Sequence, residues 1–248
     1  MIKVKSKEEI NHMREAGRVV AEVLESIGRV IEPGMRTKEL EEVAQRVFER
    51  RGVLPAFKGY RGFPSLICVS VNEEVIHGIP GERVLREGDI VSVDVGVVYN
   101  GYYGDGAMTF GVGEISGEAL RLIETAKGAL ELAISVAKEG VRVGDISHAI
   151  QSYVEERGFS VIREYAGHGI GRELHEEPPV PNYGYPGEGP VLMSGMTIAI
   201  EPMITSGDWR TKVLPDGWTV VTIDGSLSAH FEHTILIKEG EAEVLTKL

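Results

Sequence analysis

The sequence predicts an α+β fold of two similar halves, near residues 1–113 and 114–248, and two observations predict it. One is an internal repeat, in which a turn and an amphipathic helix return later in the chain. The other is a pair of short apolar runs, one in each half, that both end in a carboxylate. Residues 33–52 read PGMRTKELEEVAQRVFERRG and residues 139–158 read EGVRVGDISHAIQSYVEERG. At an offset of 106, Gly34, Arg36, Arg51 and Gly52 meet Gly140, Arg142, Arg157 and Gly158. The apolar positions Leu40, Val43, Val47 and Phe48 meet Ile146, Ala149, Tyr153 and Val154, so the two helices should bury the same stripe. At an offset of 107, GDIVSVD (88–94) meets GMTIAIE (195–201). Both are rich in β-branched or large apolar residues and suit central strands. Two such halves would face each other with a site between them.

The remaining elements follow in chain order. Ser6 and Glu9 form a capping box, and Ile10, Met13, Gly17, Val20, Leu24 and Ile27 then recur at helical spacing. After the second helix comes the apolar strand IVSVDVGVVYN. Asn100-Gly101 suits a type I′ hairpin turn, and the return strand reads YYGDGAMTF. The second half opens on a helical pattern over 117–138, through Leu120, Ile123, Ala126, Leu130 and Ile134. A glycine-flanked histidine in AGHGIGRELHEEP, the strand MTIAIEPM and the strand AHFEHTILI complete it.

Composition narrows the class. With 42% hydrophobic and 26% charged residues, the chain is that of an ordinary soluble protein. No apolar run approaches the roughly 18 residues of a membrane span, and the start, MIKVKSKEEINHM, has no signal-peptide apolar core. A net charge of −12 argues against a general nucleic-acid surface. The single cysteine, Cys68, fits a reducing cytoplasm and, read alone, is a small buried apolar residue.

The carboxylates carry the chemistry. Asp94 lies in an apolar strand, and pairing about Asn100-Gly101 brings Asp105 within its reach. Glu201 ends a second apolar strand and Glu232 lies in a third. Burying four carboxylates without compensation would cost more than a domain's stability. None has a basic sequence neighbour, so two divalent cations are the economical answer. His168 adds an imidazole, and oxygen donors with one imidazole suit Mn, Fe, Co or Zn better than Ca or Mg.

The runs SVDVG with GYYGD, GHGIG followed by HEEP, AIEPM and HFEHT resemble the metal signature of type 1 methionine aminopeptidases, over essentially the whole chain. That resemblance implies the pita-bread (creatinase/aminopeptidase) fold, with two pseudo-symmetric halves, an antiparallel sheet and flanking helices, as one catalytic domain over 1–248. It implies that Asp94 binds one metal, that His168 and Glu201 bind the other, and that Asp105 and Glu232 bridge them. It implies removal of N-terminal methionine before a small second residue, by attack of a hydroxide that bridges the metals, with Glu201 moving the proton. His77 would hold or protonate the departing amide and His175 would stabilise the oxyanion. The methionine pocket would use Tyr60, Phe63, Cys68, His77 and Trp218, lined also by Phe57 and Leu174. Phe57 and Ile76 stand where bacterial relatives can carry cysteines. A monovalent cation, Na or K, would sit at Asn72, Glu74 and Ser228. The expected partners are methionine-initiated peptides and nascent chains, with transient ribosome contact, for a monomer in the cytoplasm. The chain's own start, Met1-Ile2, should resist trimming.

Two rivals share the fold. X-Pro aminopeptidases and dipeptidases usually have an added N-terminal domain and a histidine shortly before the GHG run; VIREYAGHGIG has none there. A non-catalytic binding protein of this fold would lose metal ligands, whereas this chain keeps the five and both outer histidines.

Overall fold

Ser6 and Glu9 cap the first helix reciprocally, the Glu9 amide donating to Ser6 Oγ at 3.3 Å and the Ser6 amide to Glu9 Oε2 at 2.8 Å. The computed structural model describes residues 2–247, so Met1 and the expectation for the Met1-Ile2 bond lie outside the described residues. Helix α1 (Lys7–Gly28) buries Ile10, Met13, Gly17, Val20, Leu24 and Ile27, the stripe its spacing predicts. Helix α2 (Thr37–Arg51) buries Leu40, Val43, Val47 and Phe48.

The second pair of helices departs from the sequence reading in detail. In α3 (Gly117–Val136) the buried face is Ala119, Leu122, Thr125, Ala126, Ala129, Leu130 and Ala133. Leu120 is 48% exposed, while Ile123 and Ile134 only border the core. The helix is rotated so that four alanines join Leu122 and Leu130 on the buried face, leaving Leu120 outside. In α4 (Val143–Glu155) Ile146, Ile150 and Val154 are buried as the core stripe. Ala149 and Tyr153, its repeat partners of Val43 and Val47, are half-buried.

The first half supplies strands β1 (Leu54–Pro55), β2 (Cys68–Val71), β3 (Glu74–Ile76), β4 (Ile90–Tyr99) and β5 (Tyr102–Gly111). The second supplies β6 (Ser160–Val161), β7 (Ala166–Gly169), β8 (Glu176–Pro181), β9 (Thr197–Ile200), β10 (Met203–Thr205), β11 (Thr211–Val213), β12 (Val220–Thr222), β13 (Ser228–His230), β14 (Glu232–Leu236) and β15 (Glu243–Val244). A nine-stranded sheet runs β1–β4–β5–β14–β9–β7–β8, with β2 also on β4 and β15 also on β14. Its pairings are antiparallel. The hairpin turn has Asn100 at φ 50° and Gly101 at φ 79°, the positive pair a type I′ turn requires.

One face of this sheet is covered by helices. Val91, Val93, Val95 and Val97 of β4 pack with Val20, Leu24, Leu40 and Val47 of α1 and α2. Ile198, Ile200 and Ile235 pack with Leu122, Ile146 and Ile150 of α3 and α4. Strand alternation therefore turns Asp94 away from the helices, toward the other face.

Candidate metal centre

Register assembles the acidic cluster. In the β4–β5 hairpin Asp94 pairs with Ala107 and Gly96 with Asp105, so the two aspartates are diagonal neighbours on one face. Ala107 pairs in turn with Glu232 of β14. Glu201 follows β9 directly, two residues beyond Ala199, which pairs with His168 of β7. His168 Nε2 lies 3.5 Å from Glu201 Oε1 and 3.9 Å from Asp105 Oδ2. Its Nδ1–H donates to the Gly169 carbonyl at 2.9 Å, because that partner can only accept. This tautomer leaves the Nε2 lone pair aimed at the carboxylates.

Electrostatics show that the cluster is incomplete by itself. Burial, above all, pushes Asp94 up to about 7. Burial and then neighbouring carboxylates push Asp105 and Glu232 well above the usual range, and Glu201 likewise through burial and Asp94. Among the described residues no Lys or Arg pairs with any of the four; their close basic neighbours are His168 and His230. Asp94 Oδ1, Asp105 Oδ1, Glu232 Oε1 and His230 Nε2 are buried without a hydrogen-bond partner. Such orphaned groups are costly unless something compensates them. Ligand atoms of Asp105, His168 and Glu232 lie within 4.8 Å of one another, as do those of Glu201, His230 and Glu232. Asp94 stands outside both tight groups, diagonal to Asp105 across the hairpin. Carboxylate oxygens with imidazole nitrogen fit first-row divalent ions.

A cavity of about 290 Å³ opens beside these groups, lined by all five together with Phe57, Tyr60, Phe63, Cys68, His77, Leu174, His175 and Trp218. Every residue named above for the methionine pocket therefore reaches it. Trp218 meets Phe63 edge-on at 5.2 Å between ring centres and His77 at 6.5 Å. His77 sits at φ 59°, and a Cβ on the next residue, Gly78, would lie 2.2 Å from the Val69 carbonyl oxygen, so close backbone contact shapes this corner. Burial lowers His77 to about 4, and burial then the Arg61 charge lower His175, which keeps both neutral at pH 7. Tyr60 Oη lies 2.8 Å from His175 Nδ1. Burial, then Asp94, pushes the Cys68 thiol up, so it lines the pocket as a neutral group.

Some residues around the cluster and the cavity were not singled out from sequence. His230 is 1% exposed, with Nε2 3.8 Å from Glu201 Oε2 and 3.8 Å from Glu232 Oε2. Its only sequence signal is the two-residue spacing to Glu232. Tyr165, Arg61 and Ala166 border the cavity. The three residues expected around a monovalent cation are neighbours, since the Ser228 amide donates to the Asn72 carbonyl at 2.9 Å. The Glu74 carboxylate, however, accepts from the Val71 amide at 2.8 Å and Arg83 at 2.6 Å, and Ser228 Oγ donates to Ile204 O at 2.9 Å.

The sequence profile of metallopeptidase family M24 matches residues 11–239. The chain belongs to metallopeptidase family M24. Within curated proteins it is 52% identical to methionine aminopeptidase 1 of Bacillus subtilis, over 100% of both chains. Among solved structures it resembles a methionine aminopeptidase from Thermotoga maritima, with a TM-score of 0.99, 55% identity and 100% of each chain covered. A prolidase from Pyrococcus furiosus is similar at a TM-score of 0.81 and 25% identity, but only 65% of that longer chain is covered. The M24 fold here is thus the pita-bread fold, an antiparallel sheet with flanking helices.

Proposed function

We propose that the chain is a methionine aminopeptidase that removes the N-terminal methionine of peptides and nascent proteins whose second residue is small. The observation that carries this is one cavity whose lining joins an acidic, imidazole-bearing cluster to aromatic walls and a thiol. An unbranched, polarisable thioether suits such walls.

Asp94, Asp105, His168, Glu201 and Glu232 would hold two divalent ions, of cobalt, manganese, iron or zinc. When bound, such a pair brings the pKa of a shared water toward neutrality and polarises the scissile carbonyl. Glu201 takes the proton released and returns it to the departing amide. Its place between the imidazoles of His168 and His230 supports that role. Neutral His77 contacts the scissile amide from the Trp218 side of the cavity. With Tyr60 donating to Nδ1, His175 presents Nε2–H to the developing oxyanion.

The two halves, 1–113 and 114–248, act as one catalytic domain, a reading supported by carboxylates contributed from strands of each. Asn72, Glu74 and Ser228 would hold Na or K through oxygens near the β2–β3 turn. The chain works as a cytoplasmic monomer with transient ribosome contact. A lone buried cysteine supports this compartment, and no helix among the described residues is long and apolar enough to cross a membrane.

The test is hydrolysis by metal-loaded protein. Methionine should be released from Met-Ala-Ser, chelator should abolish release, and X-Pro peptides should survive. Cleavage of X-Pro peptides with Met-Ala-Ser left intact would overturn the reading.

A further inference from the structure

The loop that carries Leu174 and His175 is closed by a buried ion pair reaching in from the N-terminal segment. Lys5 Nζ donates to Glu176 Oε2 at 2.6 Å, and the two side chains are 5% and 3% exposed. The other oxygen, Glu176 Oε1, accepts from the Arg172 amide at 2.9 Å and the Glu173 amide at 3.4 Å. Thus one carboxylate, held by buried Lys5 and with the half-exposed Lys3 Nζ 3.6 Å from its Oε1, ties both ends of residues 172–176. Lys5 is itself fixed, its amide donating to the Gly195 carbonyl at 2.8 Å, just before β9. A Cβ on Gly171 would lie 2.4 Å from Lys5 Cε, so the loop is shaped around the lysine stem.

A buried ion pair is a weak source of stability, since apolar residues of similar volume often replace it without loss; its value lies in geometry. Here the geometry concerns His175. Glu176 begins β8 opposite Gly169, directly after His175, whose ring lies 4.3 Å from that of His168. We propose that Lys5 is a positioning residue for the reaction, holding Glu176 so that His175 stays seated between Tyr60 and the metal centre. This rests on the function assigned above, and it places a residue at the edge of the N-terminal segment in the specification of the oxyanion side.

The test compares Lys5→Met, Lys5→Arg and Glu176→Gln in the wild-type and His175→Ala backgrounds. With Met-Ala-Ser and manganese-loaded protein, Lys5→Met should lower kcat about tenfold to a hundredfold, as small misplacements do. KM and metal affinity should stay within about twofold, and Lys5→Arg should restore most of the rate. In the His175→Ala background, Lys5→Met should change kcat by less than about twofold, since no oxyanion donor is left to misplace. An equal loss in both backgrounds would overturn the proposal. Imidazole NMR of the metal-free protein provides a readout independent of turnover. The resonance that His175→Ala removes should move in Lys5→Met, or in Glu176→Gln where Lys5→Met does not fold. An unmoved His175 resonance would equally overturn the proposal. An inactive wild type would instead count against the methionine aminopeptidase reading, leaving the NMR arm to decide the role of Lys5.

Discussion

The two oxygens of Glu201 face different imidazoles, Oε1 toward His168 at 3.5 Å and Oε2 toward His230 at 3.8 Å. In its proposed roles, neutralising this side chain would remove a ligand and the proton carrier together. Glu201→Gln should therefore lower kcat by about a hundredfold or more and weaken metal uptake, read by turnover and by metal titration. His175 touches Tyr60 and lies tilted against His168, 4.3 Å between ring centres, without joining either tight ligand group. His175→Ala should slow the chemical step comparably while leaving metal affinity within about threefold; a collapse of affinity would contradict its assigned place. Legibility at this level depended on incongruity. A carboxylate within an apolar strand, as at Asp94, or directly after one, as at Glu201, demands an explanation that sequence alone can raise. His230 raises none, because a histidine in a β-run reads equally well as core. Only the three-dimensional approach of its Nε2 to two glutamates distinguishes it.

The helices show where periodicity suffices and where it misleads. In α1 the large apolar residues are the buried ones, and the spacing of Ile10, Met13, Val20 and Ile27 marks the face directly. In α3 the apolar residues run round much of the helix, and the sheet-facing stripe is rich in alanine. Small side chains let the helix approach Ile198, Ile200 and Ile235, so close packing chose a face that counting large residues does not. Two substitutions separate the readings. Leu122, fully buried, should cost about 2–5 kcal/mol as Leu122→Ala. Leu120→Gln, at a position 48% exposed, should shift stability by no more than about 0.5 kcal/mol. Denaturant unfolding of both variants decides; a larger loss for Leu120 would mean that the stripe counted from the sequence is the buried one. The β4–β5 hairpin needed no such correction, since Asn100-Gly101 dictates both turn and register.

Across the molecule, opposed ionisations make stability depend on metal. Burial raises Asp94 to about 7, so folding favours its neutral form. That contribution is complete below the unfolded carboxylate range and is lost as pH rises through about 7. His77 and His168, both lowered to about 4 mainly by burial, act in the opposite sense, losing stability as pH falls below about 6.5. Between about pH 6.5 and 8 the carboxylate effect therefore stands alone. Chelated protein should melt at progressively lower temperature across that window, and metal-loaded protein should not; calorimetry of the two forms reads the difference. The overall architecture was visible in the repeat, but the order of strands was not, because local patterns do not say that β14 lies between β5 and β9. That position has a kinetic consequence. The backbone ladder between β5 and β14 has the pairs Ala107–Glu232 and Gly106–His233, a seam two rungs wide that the Thr234 hydroxyl extends by accepting from the Asp105 amide and donating to its carbonyl. Amide hydrogens along it should exchange by a breathing motion far smaller than global unfolding. Ions gripping Asp105 on one side and Glu232 on the other would slow that exchange, making deuterium uptake at the seam a clock for metal residence.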